Sequence, residues 1–290
     1  MLCEAACPIV RVAPNKVHVA DAQFYSEIYA GNSRNRDKSE RWVRFLAILP
    51  TCIAATKGHH HHILRRRPLL HHFSKKTIRE MEDRFRPFME KLLDRIEAAH
   101  HTATPVDLNA AFSAWGTDTI SDYCFGSPFG YLDRPGFQND MRDALAKIFN
   151  YGHLLTYFPY LMRLRYILPR QVAIRLMPGC EVALDTEDLV RQKIREVQKS
   201  TPKKSTLVET LTTTDSLPDE EKQIERIKDE CLLFVFAGTE TTARALAVTI
   251  YHMLNNTEIY HRLFEEVKQV MVNRTDYPTW AQLEALPYLV

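Results

Sequence analysis

The chain has 290 residues, 45% of them hydrophobic and 26% charged, with 38 basic against 36 acidic residues and a net charge of +2. That length can bury a substantial core in one large domain or two ordinary ones, and the near-neutral balance excludes a global nucleic-acid or membrane-attracting field. With only 9 glycines and few alternating runs, the composition favours a mainly helical fold over a sheet-rich one.

The six cysteines (Cys3, Cys7, Cys52, Cys124, Cys180, Cys231) are scattered without CxxC pairs, which argues against a zinc ribbon or a disulfide framework and for reduced thiols. Two sequons, at Asn255 and Asn273, carry little weight without a signal peptide. The N-terminal MLCEAACPIVRVAPNKVHV has no apolar core of signal or anchor length. The uncharged apolar run CLLFVFAG, towards the C-terminal half, is far short of the ~20 residues that cross a bilayer. The expectation is a soluble chain.

In chain order, residues 8 to 19 predict two short strands around a turn at Pro14-Asn15, with Ile9, Val10, Val12, Val17 and Val19 supplying β-branched content. Asp21 is placed to cap a helix over DAQFYSEIYA. Residues 40 to 57 read as a partly helical segment. A helix from His59 is expected to be interrupted near Pro68. From Ser74 to about Ala99 a single amphipathic helix is expected, with Ile78, Met81, Phe85, Phe88, Leu92 and Ile96 on one stripe. Asp107 opens a further helix that ends at Phe125-Gly126. Residues 138 to 150 and 180 to 199 are helical, joined by an aromatic stretch around Tyr157. The Lys-, Ser- and Thr-rich stretch from about 199 to 218 predicts an exposed linker within the domain.

After Ser216 and Pro218 the acids Asp219, Glu220 and Glu221 suit a helix start. The apolar pattern then continues for about 37 residues, roughly 55 Å of helix. Its centre, AGTETT (Ala237 to Thr242), breaks local rules. Gly238 and three threonines weaken the helix, and Glu240 stands between LLFVF and ALAV, where an unpaired charge is expensive. Two readings stay open on the residues alone. Small side chains at Ala237 and Gly238 would let a flat ligand lie against the backbone, with Glu240 and Thr241 passing protons. Alternatively, the segment is a close helix–helix crossing that needs small residues, with Glu240 in an ordinary ion pair.

HHHHILRRRPLLHHFSKK is the second unusual segment. A metal site is conceivable, since histidines four apart share a helix face, but no carboxylate or cysteine lies close in sequence. A nucleic-acid patch or a plain solvated basic face are the other readings.

AGTETT fits, at every position, the [Ala/Gly]-Gly-x-[Asp/Glu]-Thr-[Thr/Ser] pattern of the distal helix of cytochromes P450, and the flanking ETTARALAVTIYHMLNN and the following amphipathic helix from Thr257 resemble that family too. PIVRVAP, ISDYCFGSPFG and WAQLEALPYLV add weaker matches in family order. The resemblance implies a mainly α, partial cytochrome P450 fold with a small N-terminal β-hairpin. It implies haem as cofactor, with Ala237, Gly238 and Thr242 against it, Thr241 supporting proton delivery to oxygen over the haem, and Glu240 relaying protons. The histidine–arginine segment resembles the third helix of fungal microsomal members, in which His62 and Arg66 would bind a haem propionate; where the family has a Pro-Phe-like pair, this chain has His71-His72. The implied activity is insertion of one oxygen atom into an apolar small molecule, in fungal secondary or xenobiotic metabolism. Electrons would come from an NADPH-cytochrome reductase at the cytosolic face of the endoplasmic reticulum, with no nucleic acid involved.

The family's Glu-x-x-Arg helix and haem-thiolate cysteine loop are not found before Val290. The expectation is therefore a single, incomplete domain over 1–290, without an axial cysteine or anchor, cytoplasmic and inactive alone. A non-catalytic truncated helical remnant that binds a partner is the alternative.

Overall fold

The computed structural model describes residues 8–29, 34–150, 152–158, 160–161, 164, 167–177, 179–199, 206–273 and 276–290. It is mainly helical, with one antiparallel hairpin, β1 (Ile9–Ala13) and β2 (Lys16–Val19), in which Ile9 pairs with Val19 and Ala13 with Lys16 around the expected turn. Asp21 does act as a cap, accepting from Gln23 N at 2.9 Å, but it opens only a 3-10 turn (Ala22–Phe24) and one turn of helix, α1 (Tyr25–Ile28). The remaining helices before the long one are α2 (Glu40–Phe45), α3 (His59–His72), α4 (Lys75–Glu80), α5 (Glu82–His101), α6 (Leu108–Phe125), α7 (Asp140–Asn150), α8 (Gly152–Tyr157), α9 (Arg170–Leu176), α10 (Cys180–Lys199) and α11 (Leu207–Thr213). The long helix, α12 (Ile224–Leu254), is succeeded by α13 (Thr257–Val267) and α14 (Trp280–Glu284).

Four sequence expectations change here. Pro68 lies buried inside α3, which continues another turn to His72. The helix expected from Ser74 to Ala99 is two, because Met81 takes φ −99°, ψ 2° and its carbonyl accepts from Arg84 and Phe85. The apolar stripe continues on both sides of that kink, so periodicity does not register it. The linker expected over 199–218 contains α11, whose Leu207, Val208 and Leu211 are buried, with Thr206 capping Glu209 N at 3.1 Å; residues 200–205 lie outside the described residues. Finally, α12 has 31 residues, since Asp219–Lys222 forms a separate 3-10 turn before it.

The core is built where α12 crosses α6. Ala110, Ala111, Ala114, Cys124 and Phe125 of α6 meet Ile227, Cys231, Leu232 and Val235 of α12, with Val190 and Ile194 of α10 and Leu207 and Leu211 of α11 around them. Asp107 caps α6 as expected, and Gly126 ends it at φ 76°, a left-handed conformation natural to glycine. By length and apolar composition α12 is also long enough to cross a bilayer. Its first turns, however, bury Arg226, Lys228, Asp229 and Glu230 in ion pairs, which marks a core helix.

Candidate functional site

The AGTETT segment divides between two faces of α12. Gly238 lies against α6: a Cβ on it would meet Ile120 at 3.4 Å, and a Cβ on Gly116 would meet the Gly238 carbonyl oxygen at 2.7 Å. This is the close crossing that was one of the two sequence readings; it needs the glycine at 116, whereas a Cβ at 238 would make ordinary contact with the Ile120 side chain. Thr239, between Gly238 and Glu240, is fully buried on the same side. Ala237, Thr241 and Thr242 are exposed on the other face. With a helix advancing 100° per residue, Ala237, Thr241, Arg244 and Val248 form one uncovered stripe.

On that stripe the Thr241 hydroxyl donates to the Ala237 carbonyl oxygen at 2.6 Å, occupying an acceptor the helix already uses and loosening it locally. Glu240 is not the unpaired buried charge that its neighbours suggested. Its side chain is 34% exposed and faces Arg244 one turn on, at 3.6 Å. The crossing reading is met: Gly238 and Thr239 pack on α6 and Glu240 pairs with Arg244, while Ala237 and Thr241 are exposed on the other face.

The basic segment divides in the same way. Arg65 points inward and forks onto Glu221, Nε to Oε2 at 2.7 Å and Nη2 to Oε1 at 2.9 Å, with its remaining arm on Thr56 Oγ1 at 2.7 Å. His61 reaches the same carboxylate at 2.6 Å and Arg226 at 3.0 Å; Arg226 also pairs with Glu230. Burial pushes the Glu221 carboxyl up, but the bonds from Arg65 and His61 and the charges of Arg65 and Arg226 outweigh it and hold it at about 2. Sequence reasoning missed Arg65, because its partner is 156 residues away.

His62 and Arg66 sit one turn apart on the outer side of α3. Arg66 is exposed, and among the described residues it makes no ion pair. Burial lowers the His62 pKa, and the charged groups around it, Lys38, Arg66 and His59, are all cationic and lower it further. Basic groups outnumber acids around His62, with Asp37 accepting from His59 N at 2.9 Å, and such donors can bind an anion. His72, at the position of doubtful packing, is buried. Tyr123 Oη donates to the His72 carbonyl at 2.8 Å, so it must accept from Nδ1–H at 2.8 Å, leaving Nε2 to accept from Thr210 at 2.7 Å. Burial and the nearby His71 lower its pKa, in keeping with that neutral tautomer.

Among the described residues no group of three or more histidine, cysteine or acid side chains is arranged to hold a metal ion. The described cysteines are all buried. Burial raises the Cys52 thiol to about 11, and burial together with the hydrogen-bonded Cys124 raises Cys231. The raised pKa values keep Cys52 and Cys231 as thiols, which makes them poor thiolate ligands. Cys3 and Cys7 lie outside the described residues. A cavity of about 350 Å³ opens between α2 and α8, lined by Ser39, Arg41, Trp42, Phe45 and Thr156. Beside it, Arg41 sits over the Tyr157 ring.

Residues 10–290 match the family model described as Cytochrome P450. The chain belongs to the cytochrome P450 family. It is 37% identical to conidiogenone synthase PchP450 of Penicillium rubens, covering 97% of this chain and 57% of that protein. It is 33% identical to the cytochrome P450 monooxygenase claJ of Penicillium crustosum, over 97% of this chain and 65% of the relative. With the cytochrome P450 monooxygenase TRI4 of Trichoderma arundinaceum, identity is 34% over 97% and 55%. The chain thus spans little more than half the length of most of the curated relatives it matches. The relatives named here include monooxygenases, and the family implies haem iron as cofactor. The residues present fit two parts of such a group, an uncovered face at Ala237 and Thr241 and an anionic edge at His62 and Arg66. They do not provide the axial thiolate among the described cysteines.

Proposed function

We propose that this chain forms the oxygen-side part of a haem monooxygenase that inserts one atom of O2 into an apolar small molecule in fungal secondary or xenobiotic metabolism. Electrons would come from an NADPH-dependent reductase, and the full protein would sit at the cytosolic face of the endoplasmic reticulum, as the microsomal resemblance implies. The observation that carries the reading is the uncovered stripe of α12. Thr241 presents a hydroxyl there, held at 2.6 Å to the Ala237 carbonyl, and Glu240 is the neighbouring carboxylate.

Haem, when bound, supplies the iron centre at which O2 is activated. Ala237 would let its plane approach the helix closely. Thr241 Oγ1–H, released from the Ala237 carbonyl, would deliver a proton to oxygen on that face. Glu240, partly exposed, would take a proton from solvent and reload Thr241. Thr242 would border the same face, and His62 with Arg66 would hold a propionate by charge-assisted hydrogen bonds. The cavity by Trp42 and Phe45 would admit an apolar substrate.

Haem titration of the 290-residue chain tests this reading. Saturable binding that weakens in Arg66→Ala is expected, since a fork to a carboxylate is lost. After reduction under carbon monoxide, the chain alone should not show the red-shifted band of a thiolate-ligated haem, because the described thiols are all buried. Binding that ignores Arg66 and His62 would return the alternative, a non-catalytic helical protein. A thiolate-type band would overturn the view of its cysteines.

A further inference from the structure

Thr239, the position the motif leaves free, is the most enclosed residue of AGTETT, and it takes part in a buried polar chain that crosses from α12 to α6 and α7. Thr239 Oγ1 lies 2.9 Å from Thr117 Oγ1 and 2.7 Å from its own Val235 carbonyl. Thr117 donates to the Ser113 carbonyl at 2.7 Å and accepts from Asn139 Nδ2 at 3.0 Å. The Asn139 amide has a defined orientation: its Oδ1 accepts from Arg142 N at 2.9 Å, so its NH2 faces Ser113 Oγ, at 3.2 Å, and Thr117. Each threonine has one hydroxyl proton and a carbonyl of its own helix within reach, Ser113 for Thr117 and Val235 for Thr239, so either hydroxyl can donate across the crossing and the donor shares its proton with that carbonyl. Ser113, Thr117 and Thr239 are 0% exposed and Asn139 1%, so no water competes for these bonds. One residue away, Gly116 and Gly238 are in backbone contact, and any Cβ at Gly116 would strike the Gly238 oxygen at 2.7 Å.

A helix in a packed crossing can slide or rotate about its axis unless something directional prevents it. A hydrogen bond and a backbone contact on adjacent residues do so. Rotation of α12 by part of a turn would break the Thr239–Thr117 bond and would drive Gly116 against a neighbour of Gly238 that carries a side chain. We propose that Thr239, through Thr117 and Asn139, and Gly116, through Gly238, are positioning residues that set the rotation of α12 and so decide that Ala237 and Thr241 face the uncovered stripe. The consequence for chemistry rests on the haem-monooxygenase reading; the clamp itself does not.

Two measurements on the full-length protein carrying this chain separate the two. The first is amide hydrogen exchange in Thr239→Val, Thr239→Ser and Gly116→Ala. Thr239→Val keeps the shape and removes the hydroxyl, and exchange over residues 237–243 should accelerate about fivefold, the effect of losing one buried hydrogen bond. Thr239→Ser, which keeps the hydroxyl, should restore it, and Gly116→Ala should accelerate the same residues at least as much. Unchanged exchange there, or an equal acceleration along α10, would overturn the clamp whatever the protein binds. The second is the fraction of consumed NADPH recovered as oxygenated product. It should fall severalfold in Thr239→Val with substrate KM nearly unchanged, and Thr239→Ser should recover it. A variant with faster exchange but undiminished coupling would show a purely structural clamp and overturn the positioning role. If the full-length protein proves not to bind haem, the exchange measurement alone decides the clamp.

Discussion

The two halves of α12 solve opposite problems. From Ile224 to Val235 the helix is enclosed by α6, α10 and α11, and it carries charges into that enclosure, each one paired: Arg226 with Glu221 and Glu230, Lys228 with Glu187 and Asp229. Even the loop before α3 joins in, as Thr51 donates to Asp229 through its backbone and its hydroxyl, at 3.0 and 2.6 Å, and Ile53 N donates to Glu230 at 3.1 Å. From Ala237 onwards the helix has one covered face and one bare one, ending in Val248 (49% exposed), Tyr251 (64%) and Leu254 (62%). The first half is polar but shut, and the second is less polar but open. Charge density along a helix therefore says little about where its working face lies. What decides is which polar groups have all their partners inside the protein.

If that contrast is right, the largest effects of mutation belong to the shut half. Glu221→Ala leaves Arg65 with an unmatched buried charge, takes one of two carboxylates from Arg226, and should cost ~3–5 kcal/mol. Urea unfolding would measure it, and a loss under ~1 kcal/mol would mean that water already reaches the network. The same carboxylate dictates the acid response. Folding lowers its pKa from 4.5 to about 2, so between those values the unfolded chain binds more protons than the folded one. Its stabilisation is complete above pH 4.5 and is lost as the pH falls toward about 2. Glu225, bonded first to Arg191 and lowered to about 2, acts with the same sign. Glu230, raised by burial, acts with the opposite sign and favours the folded state in acid. Stability of Glu221→Gln measured down through this range should show a shallower acid limb than the parent. An unchanged limb would mean that other carboxylates govern it.

Next in size is the crossing between the halves. Gly116→Ala forces a methyl against a backbone oxygen that cannot swing away, and overpacking of that kind should cost ~1–3 kcal/mol. A change in melting temperature too small to detect would mean that α6 and α12 can separate freely there.

The legible parts of this fold were those with local causes. The hairpin at 8–19, the Asp107 cap, the Gly126 stop and the helices over 138–150 and 180–199 arise from a few neighbouring residues each, and they stand where expected. What local patterns do not contain is the partner. Nothing within ten residues tells Arg65 from Arg66, yet one is buried on Glu221 and the other is exposed. The polar stretch around α11 read as solvated because its Leu207, Val208 and Leu211 are few, but all three are turned into the core. In the candidate site, the motif pointed to the right segment of α12. It did not reveal that alternate residues serve different masters, Gly238 and Thr239 the crossing and Ala237 and Thr241 the open stripe. The signal for Thr239 lies in Thr117, Ser113 and Asn139, about a hundred residues or more earlier.

The smallest expected effects on stability fall on the open half, and there they are the most informative. The Glu240–Arg244 pair joins exposed side chains one turn apart, at 3.6 Å, and such pairs contribute ~0.3–0.5 kcal/mol. Thr241 gives its hydroxyl only to a carbonyl of its own helix. Glu240→Gln and Thr241→Val should each therefore leave unfolding free energy within ~0.5 kcal/mol of the parent. A stability loss of ~2 kcal/mol in either would show that the stripe is packed and structural. With stability unchanged, a loss of coupled oxygenation in the full-length protein has no structural explanation left, and it falls on the proton path through these two side chains.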